Sequence, residues 1–375
     1  MIRRTIKDAR IAQCAYLFFD ICLLSIIFSR LLADSKETLM TAMGRSGWLI
    51  PMMLVAAFVM QITALCVPFI EMTMFLKGTT IYGLLTSIHL MWNGGLYVIA
   101  ILIIAFSVVF PFLKLMGLTI AWMVLPSGKL RTEMIRILGI LGKWSMMDPF
   151  CVILLIAVAS DQWAVGADTQ VGIYYFLGAV VLSMTLSLMM MHCDRKINPT
   201  PALQSGTTLR IAQKIGWEGS AVPIALVISM VALYFALSLP FLEIDQFLLK
   251  SNSFGIFDLC VALWTNHHYP LALLAWTGLL IVPVTTILLE WWFWLVSATP
   301  AGHIAHRRFV DAFYEWSMLD VFSLSLVLFL LEGSEFIKTE VHEGLWFIVI
   351  AVIISQLSRR IARYTAQKCF RRRLD

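Results

Sequence analysis

Four charged residues stand inside long apolar stretches of this sequence: Lys114, Asp148, Glu290 and Asp320. A charge at the centre of a membrane-spanning helix costs roughly 2.5–3.5 kcal/mol on insertion scales, so each of these residues requires a reason. Asp148 and Asp320 both follow the sequence Trp-Ser-Met plus one further apolar residue. One hypothesis is that they form a proton-titrating pair. The structural alternative is that each begins a helix or pairs with a basic neighbour such as Lys143.

The surroundings of Lys114 predict a charge pair. Lys114 lies three residues after Pro111, and a proline within a helix frees a backbone carbonyl and often kinks the helix. We expect Lys114 to pair with Asp148; the alternative is a side chain that extends to the membrane interface. The second half of the chain has Thr286 at the corresponding position, so this pair would occur once. For Glu290 we expect a side chain that extends to the membrane interface.

Two sets of residues are our candidates for function. The candidates for transport or proton coupling are Asp148, Asp320, Lys114, Ser145, Ser317 and Thr286. The candidates for lining a cleft or docking a partner are Glu71, Glu243, Pro111 and Pro283. For the two glutamates of the second set, the alternative is a solvated helix end.

Neither metal chemistry nor nucleophilic chemistry is indicated. The seven cysteines are scattered without a Cys-x-x-Cys pair, which argues against a structural zinc site and against a disulfide framework. His303 and His306 lack a third ligand. No nucleophile–base pair and no phosphate-binding loop is apparent, so the sequence predicts no metal, no cofactor and no enzyme activity.

The elements that carry these residues are apolar helices long enough to cross a membrane. Of the 375 residues 60% are hydrophobic and 14% are charged, whereas a soluble domain carries about 25% charged residues. We predict an all-α polytopic membrane protein with about eight spans. These spans are 49–70, 96–125, 144–160, 172–192, 221–242, 270–297, 316–331 and 344–358. Residues 16–33 contain Asp20 and Arg30, and we expect an interfacial or packed helix there.

The connecting segments alternate in charge. Nearly all of the 28 Lys and Arg residues fall in the two terminal segments and in every second loop. By the positive-inside rule, both termini are predicted to be cytoplasmic. The arginine-rich tail after residue 358 is expected to contact anionic headgroups, and a nucleic-acid partner is not expected.

An internal duplication divides the chain. A shift of 172 residues places the Trp-Ser-Met-Met-Asp sequence on Trp-Ser-Met-Leu-Asp, and Pro-Phe-Ile-Glu on Pro-Phe-Leu-Glu. Each half has four spans, an even number, so the two repeats are predicted to have the same orientation, with a shared cavity at their interface. The predicted segments are an N-terminal segment 1–47, a first repeat 48–192, a linker 193–219, a second repeat 220–358 and a basic tail 359–375.

The repeated Trp-Ser-Met-x-Asp motif, the Pro-Phe-x-Glu motif and the Pro-Phe-Leu-Lys-Leu run at 111–115 resemble the paraquat-inducible protein A family over residues 48–360. The resemblance implies an inner-membrane subunit of an intermembrane lipid-transport system. Its expected partners are phospholipids and a periplasmic protein with repeated lipid-binding MCE domains. Family members usually carry four-cysteine zinc ribbons before each repeat. This chain has only Cys14 and Cys22 before the first repeat and Cys193 before the second.

The function expected from these features is phospholipid transport to or from a periplasmic partner, with energy from the proton gradient or another subunit. One alternative is a membrane scaffold or envelope-stress protein that anchors a partner without transporting anything. The other is a lipid-modifying enzyme in the membrane, which would require clustered polar residues at one interface. The sequence shows only scattered ones.

Overall fold

The computed structural model describes residues 38–74, 78–95, 97–160, 165–197, 216–246, 250–296, 300–333 and 339–371. The helix predicted for 16–33 lies outside these residues, as do most of the linker and the last residues of the tail. The described residues form two compact units. The first holds those up to Val152 together with 165–197, and the second holds 153–160 together with those from residue 216 onward.

Within the described ranges, eight helices or continuous helical runs are long and apolar enough to cross a membrane. They are Leu49–Cys66, Ala100–Met123, Lys129–Ala157, Val171–Ile197, Ala221–Ser238, Tyr269–Leu295, Ala305–Leu330 and Glu343–Thr365. The prediction of a helical polytopic membrane protein with tandem repeats is confirmed. The third and seventh runs begin earlier than predicted, at Lys129 and Ala305, because basic amphipathic helices lead into them.

The first half of the chain contains eight α-helices and three strands in its described part. They are α1 Leu39–Met43, α2 Leu49–Cys66, β1 Ile70–Met74, β2 Gly78–Tyr82, α3 Leu84–Asn93, α4 Tyr97–Ile103, α5 Phe110–Met123, α6 Lys129–Gly142, α7 Met147–Ser160, β3 Val165–Thr169 and α8 Val171–Ile197. Two 3₁₀ turns, Gly44–Trp48 and Lys143–Met146, lead into α2 and α7, and a π-helical turn, Ile104–Val109, joins α4 to α5.

The second repeat shows the same order of elements. They are α9 Gly216–Ser238, β4 Leu242–Gln246, β5 Lys250–Phe254, α10 Ile256–Thr265, α11 Tyr269–Ala275, a π-helical turn Trp276–Ile281, α12 Val282–Leu295, α13 Pro300–Tyr314, α14 Leu319–Gly333, β6 Thr339–Val341 and α15 Glu343–Arg371. The shift of 172 residues found in the sequence reproduces even the strand register: Ile70 pairs with Tyr82, and Leu242 pairs with Phe254.

A three-stranded antiparallel sheet in each repeat was missed by the sequence analysis. The strand orders are β2-β1-β3 and β5-β4-β6. Helix α2 ends at Cys66 because Pro68 forces the residue before it, Val67, into an extended conformation. The chain then enters β1, so the predicted first span is too long by about one helical turn. Glu71 and Glu243 consequently lie in strands β1 and β4, and their predicted place at helix ends is wrong.

A close backbone contact fixes the junction between each sheet and the last helix of its repeat. The Gly172 amide donates to the Pro68 carbonyl at 2.9 Å, and the Gly344 amide donates to the Pro240 carbonyl at 3.1 Å. A Cβ atom at Gly172 would lie 2.5 Å from that carbonyl oxygen. The glycine that begins the fourth span in each repeat is therefore required by the fold.

Candidate functional site

A π-helical turn in the second span of each repeat leaves backbone carbonyls in need of donors. The Phe110 and Val282 amides donate to carbonyls five residues back, those of Ala105 and Thr277. Pro111 and Pro283 follow directly, and proline has no N–H to donate. Single π turns of this kind are frequent at functional sites.

The two repeats satisfy these carbonyls differently. In the first, the buried Gln61 amide donates to the Ser107 carbonyl at 3.3 Å. In the second, the Met318 backbone N–H donates to the Gly278 carbonyl at 3.0 Å. In the second repeat, the π turn is thus bonded to the chain segment that carries the Trp-Ser-Met-Leu-Asp motif.

Asp148 is buried in the first unit beside the π turn. Its side chain is 8% exposed, and the side chain that interacts with its carboxyl group is Ser107. The contact does not have normal hydrogen-bond geometry, because the Ser107 hydroxyl and Asp148 Oδ2 both remain without a hydrogen-bond partner. The Ser145 hydroxyl is buried and unpartnered as well. The structure therefore concentrates unsatisfied polar atoms next to this predicted site residue.

The predicted pair between Lys114 and Asp148 is wrong. Lys114, 1% exposed, donates from Nζ to the Ser183 hydroxyl at 3.1 Å, and its ammonium lies against Gly142. A Cβ atom at Gly142 would come within 2.0 Å of Lys114 Nζ. The lysine side chain therefore fills the space that a side chain at Gly142 would occupy. It points toward the fourth span of its repeat, which carries Ser183.

The second repeat replaces the pair of Lys114 and Gly142 by a complementary one: Thr286 stands in place of the lysine and Tyr314 in place of the glycine.

We predict that Gly142→Ala displaces the Lys114 ammonium and destabilises the chain by roughly 1–3 kcal/mol, as overpacking does. Adding Lys114→Thr removes the clash, so the double variant is expected to unfold at a higher temperature than Gly142→Ala alone. Thermal unfolding of the three variants in lipid measures this coupling, and strictly additive effects would contradict the predicted contact.

The second repeat contains a polar cavity in its membrane-spanning part. A volume of about 30 Å³ in it is open to the centres of water molecules, so the cavity admits water and small polar groups. Four residues predicted from the sequence line it together: Asp320, Ser317, Thr286 and Pro283. Eight further lining residues come from five helices: Leu226, Ser229 and Leu233 of α9, Ile287 and Glu290 of α12, Tyr314 of α13, Leu319 of α14, and Arg359 of α15. Four more positions of α15 complete the lining: Ala351, Val352, Ser355 and Ser358.

Glu290 belongs to this cavity, and the expectation that its side chain extends to the membrane interface is wrong. The residue is 6% exposed. Arg307 and Arg359 attract its carboxylate electrostatically. Within the described part of the chain, it makes no hydrogen bond and no ion pair in direct contact. A carboxylate that faces a cavity without a direct protein partner can be satisfied by water or by another donor in that cavity.

Asp320 plays a different part in the same cavity. It is half-buried, stands second in α14, and its Oδ1 accepts the Val321 amide at 3.0 Å. This contact supports the structural alternative for Asp320, in which the carboxylate stabilises the start of a helix. Asp148 also stands second in its helix but faces Ser107. The two motif aspartates are therefore not equivalent.

The docking candidates divide between two places. Pro111 and Pro283 border the π turns, as described above. Glu71 lies in β1, and its carboxylate accepts a hydrogen bond from the Gln170 side chain, so its partner is within its own sheet region. Glu243 occupies the matching position of β4, where it pairs in register with Ser253 and Glu340.

A buried ion pair in the first unit escaped the sequence analysis. Arg131 of α6 lies with Nη2 2.6 Å from Asp194 Oδ1 of α8, and the Thr132 hydroxyl donates to Oδ2 at 2.6 Å. Arg131 falls in one of the basic loops predicted from the sequence, and Asp194 was not considered. Their spacing along the chain gives no signal of the contact. In the described ranges, no group of three His, Cys, Asp or Glu side chains is arranged to hold a metal ion.

These features define a membrane protein of tandem four-span repeats, each with a π turn in its second span and a buried polar site. A family model described as Paraquat-inducible protein A matches the chain twice, over residues 50–196 and 221–365. The chain belongs to the paraquat-inducible protein A family, as the motifs predicted. No curated protein and no solved structure matches it.

Proposed function

We propose that this chain is the inner-membrane subunit of an intermembrane phospholipid-transport system, and not an enzyme. The observation that carries the proposal is the cavity of the second repeat, which has charged groups and apolar side chains in one lining. An amphipathic molecule with a polar headgroup suits such a lining better than an apolar solute or a simple ion does. Membership of the paraquat-inducible protein A family supports the same function.

The proposed partner is a periplasmic protein with MCE domains, which receives or supplies the lipid. The alternating loop charges support an orientation with both termini in the cytoplasm. Under this orientation the two sheets face the periplasm, where a partner can reach them, while Arg359 and Glu290 lie toward the cytoplasmic side.

Native mass spectrometry of the gently extracted complex tests this function. The proposal predicts a co-purifying periplasmic multi-domain protein and bound phospholipid. A chain that carries a partner but no lipid would favour the alternative of a scaffold or envelope-stress protein. A chain with neither would contradict the proposal.

A further inference from the structure

The cavity of the second repeat offers acceptors to its occupant. Thr286 and Ser355 donate their hydroxyl hydrogens to carbonyls of their own helices, at 2.8 and 2.9 Å. Ser358 donates to the Ala225 carbonyl at 2.9 Å. Each of these hydroxyl oxygens therefore presents only lone pairs to the cavity. These three oxygens suit an occupant that donates hydrogen bonds.

The charge at the cavity points to a cation. Glu290 is 6% exposed, lines the cavity and has no direct hydrogen-bond or ion-pair partner within the described ranges. A carboxylate in that position is satisfied by a small cationic donor. Asp320 adds a second carboxylate to the lining.

A guanidinium group in the same lining points to an anion close by. Arg359 is 8% exposed and its Nε has no hydrogen-bond partner, and Nη2 of Arg307 also lacks one. Both arginines lie close enough to Glu290 to interact with it electrostatically. Guanidinium N–H groups are the usual donors to phosphate oxygens.

Hydrogen bonding restricts the cation. A primary ammonium has three N–H groups to donate to Glu290 and to the hydroxyl oxygens of the lining, whereas a trimethylammonium group has none. Quaternary ammonium groups also need open aromatic faces. The face of Tyr314 is already covered by the Arg359 guanidinium, whose Cζ lies 2.8 Å from the ring centroid.

We propose that this cavity binds the headgroup of an aminophospholipid, with Glu290 and the hydroxyls receiving the primary ammonium and Arg359 contacting the phosphate. The inference rests on the proposed function and names its substrate class. The first repeat lacks the site, because Leu118 and Ser187 stand where Glu290 and Arg359 stand in the second. Of the two repeats, only the second therefore selects the headgroup.

The test uses the full-length chain in nanodiscs and a series of lipids that differ only in the nitrogen. Binding is measured for phosphatidylethanolamine, its mono- and dimethyl derivatives, and phosphatidylcholine. We expect affinity to fall along the series by about tenfold or more, the loss associated with a hydrogen bond to a charged group. Equal affinity across the series would overturn the proposal. This comparison requires no substitution in the protein.

Substitutions identify the residues that cause the preference for the ethanolamine lipid. Glu290→Gln is expected to remove the difference between the ethanolamine and choline lipids, and Ser355→Ala to reduce it. Glu133→Gln, a change at an exposed glutamate of α6, is the matched control and should leave it intact. A preference that survives Glu290→Gln would place the selecting group elsewhere and overturn the assignment.

Two further ligands show whether the ammonium group and the lipid chains are each needed for binding. Phosphatidylglycerol presents phosphate without ammonium, and soluble phosphoethanolamine presents both without a lipid. We expect weak binding of the first, and competition by the second only at high concentration. Transport of both ethanolamine and choline lipids without preference would overturn this site but keep the proposed function. Selective binding without any transport would keep the site and overturn the function.

Discussion

Arg131→Ala is expected to destabilise the chain by about 3–5 kcal/mol, the cost of removing one partner of a buried ion pair. Arg131 is fully buried and Asp194 is 2% exposed, so the substitution leaves a carboxylate in a site that water does not reach. The loss should also separate α6 from α8, because this pair joins the two helices at one end of the first unit. Equilibrium or thermal unfolding in lipid measures it.

The same helix supplies the control. Arg136 pairs with Glu133 at 2.9 Å, but both side chains are 55% exposed, and such a surface pair contributes about 0–1 kcal/mol. Arg136→Ala should therefore change stability little. The double variant Arg131→Met with Asp194→Leu removes both charges and is expected to recover most of the loss. A similar cost for Arg131→Ala and Arg136→Ala would contradict the buried pair.

The second large effect is expected from the motif aspartates. If transport is coupled to protons through them, Asp148→Asn with Asp320→Asn should reduce lipid transport to the background of protein-free membranes. Asparagine has the shape of aspartate, but its side chain does not titrate. Transport between labelled donor and acceptor vesicles measures the effect, and a pH-sensitive dye inside the vesicles reports the accompanying proton movement.

The single variants should differ. Asparagine at position 320 can still accept the Val321 amide, so we expect Asp320→Asn to be the milder change. Asp148 has a buried Oδ2 without a hydrogen-bond partner, and Asp148→Asn should account for most of the loss. Full transport by the double variant would contradict proton coupling through Asp148 and Asp320.

Much of the fold follows from the sequence, because hydropathy and a constant shift of 172 residues are strong signals. The strands do not, since each is short, and β1 and β4 follow an apolar span directly. The sign of a boundary was present nevertheless, in Pro68 and Pro240, which cannot continue a helix. In each repeat the first span ends just before the proline, although hydrophobic residues continue beyond it.

The site was predicted in part. Asp320, Ser317, Thr286 and Pro283 were named, and the structure brings them together. Glu290 was misread because its distance from the end of an apolar stretch does not reveal which face of the helix it occupies. Lys114 was assigned the wrong partner because the space beside Gly142, which sets the direction of its side chain, is a property of packing between helices.

Phospholipid transfer is measured from vesicles that contain the chain to acceptor vesicles, with and without the periplasmic partner. We expect transfer that requires both proteins and favours the ethanolamine lipid over the choline lipid. This preference should be lost in Glu290→Gln but not in Glu133→Gln. Transfer by the partner alone at the full rate, with the chain needed only to hold it at the membrane, would contradict a transport function of this chain.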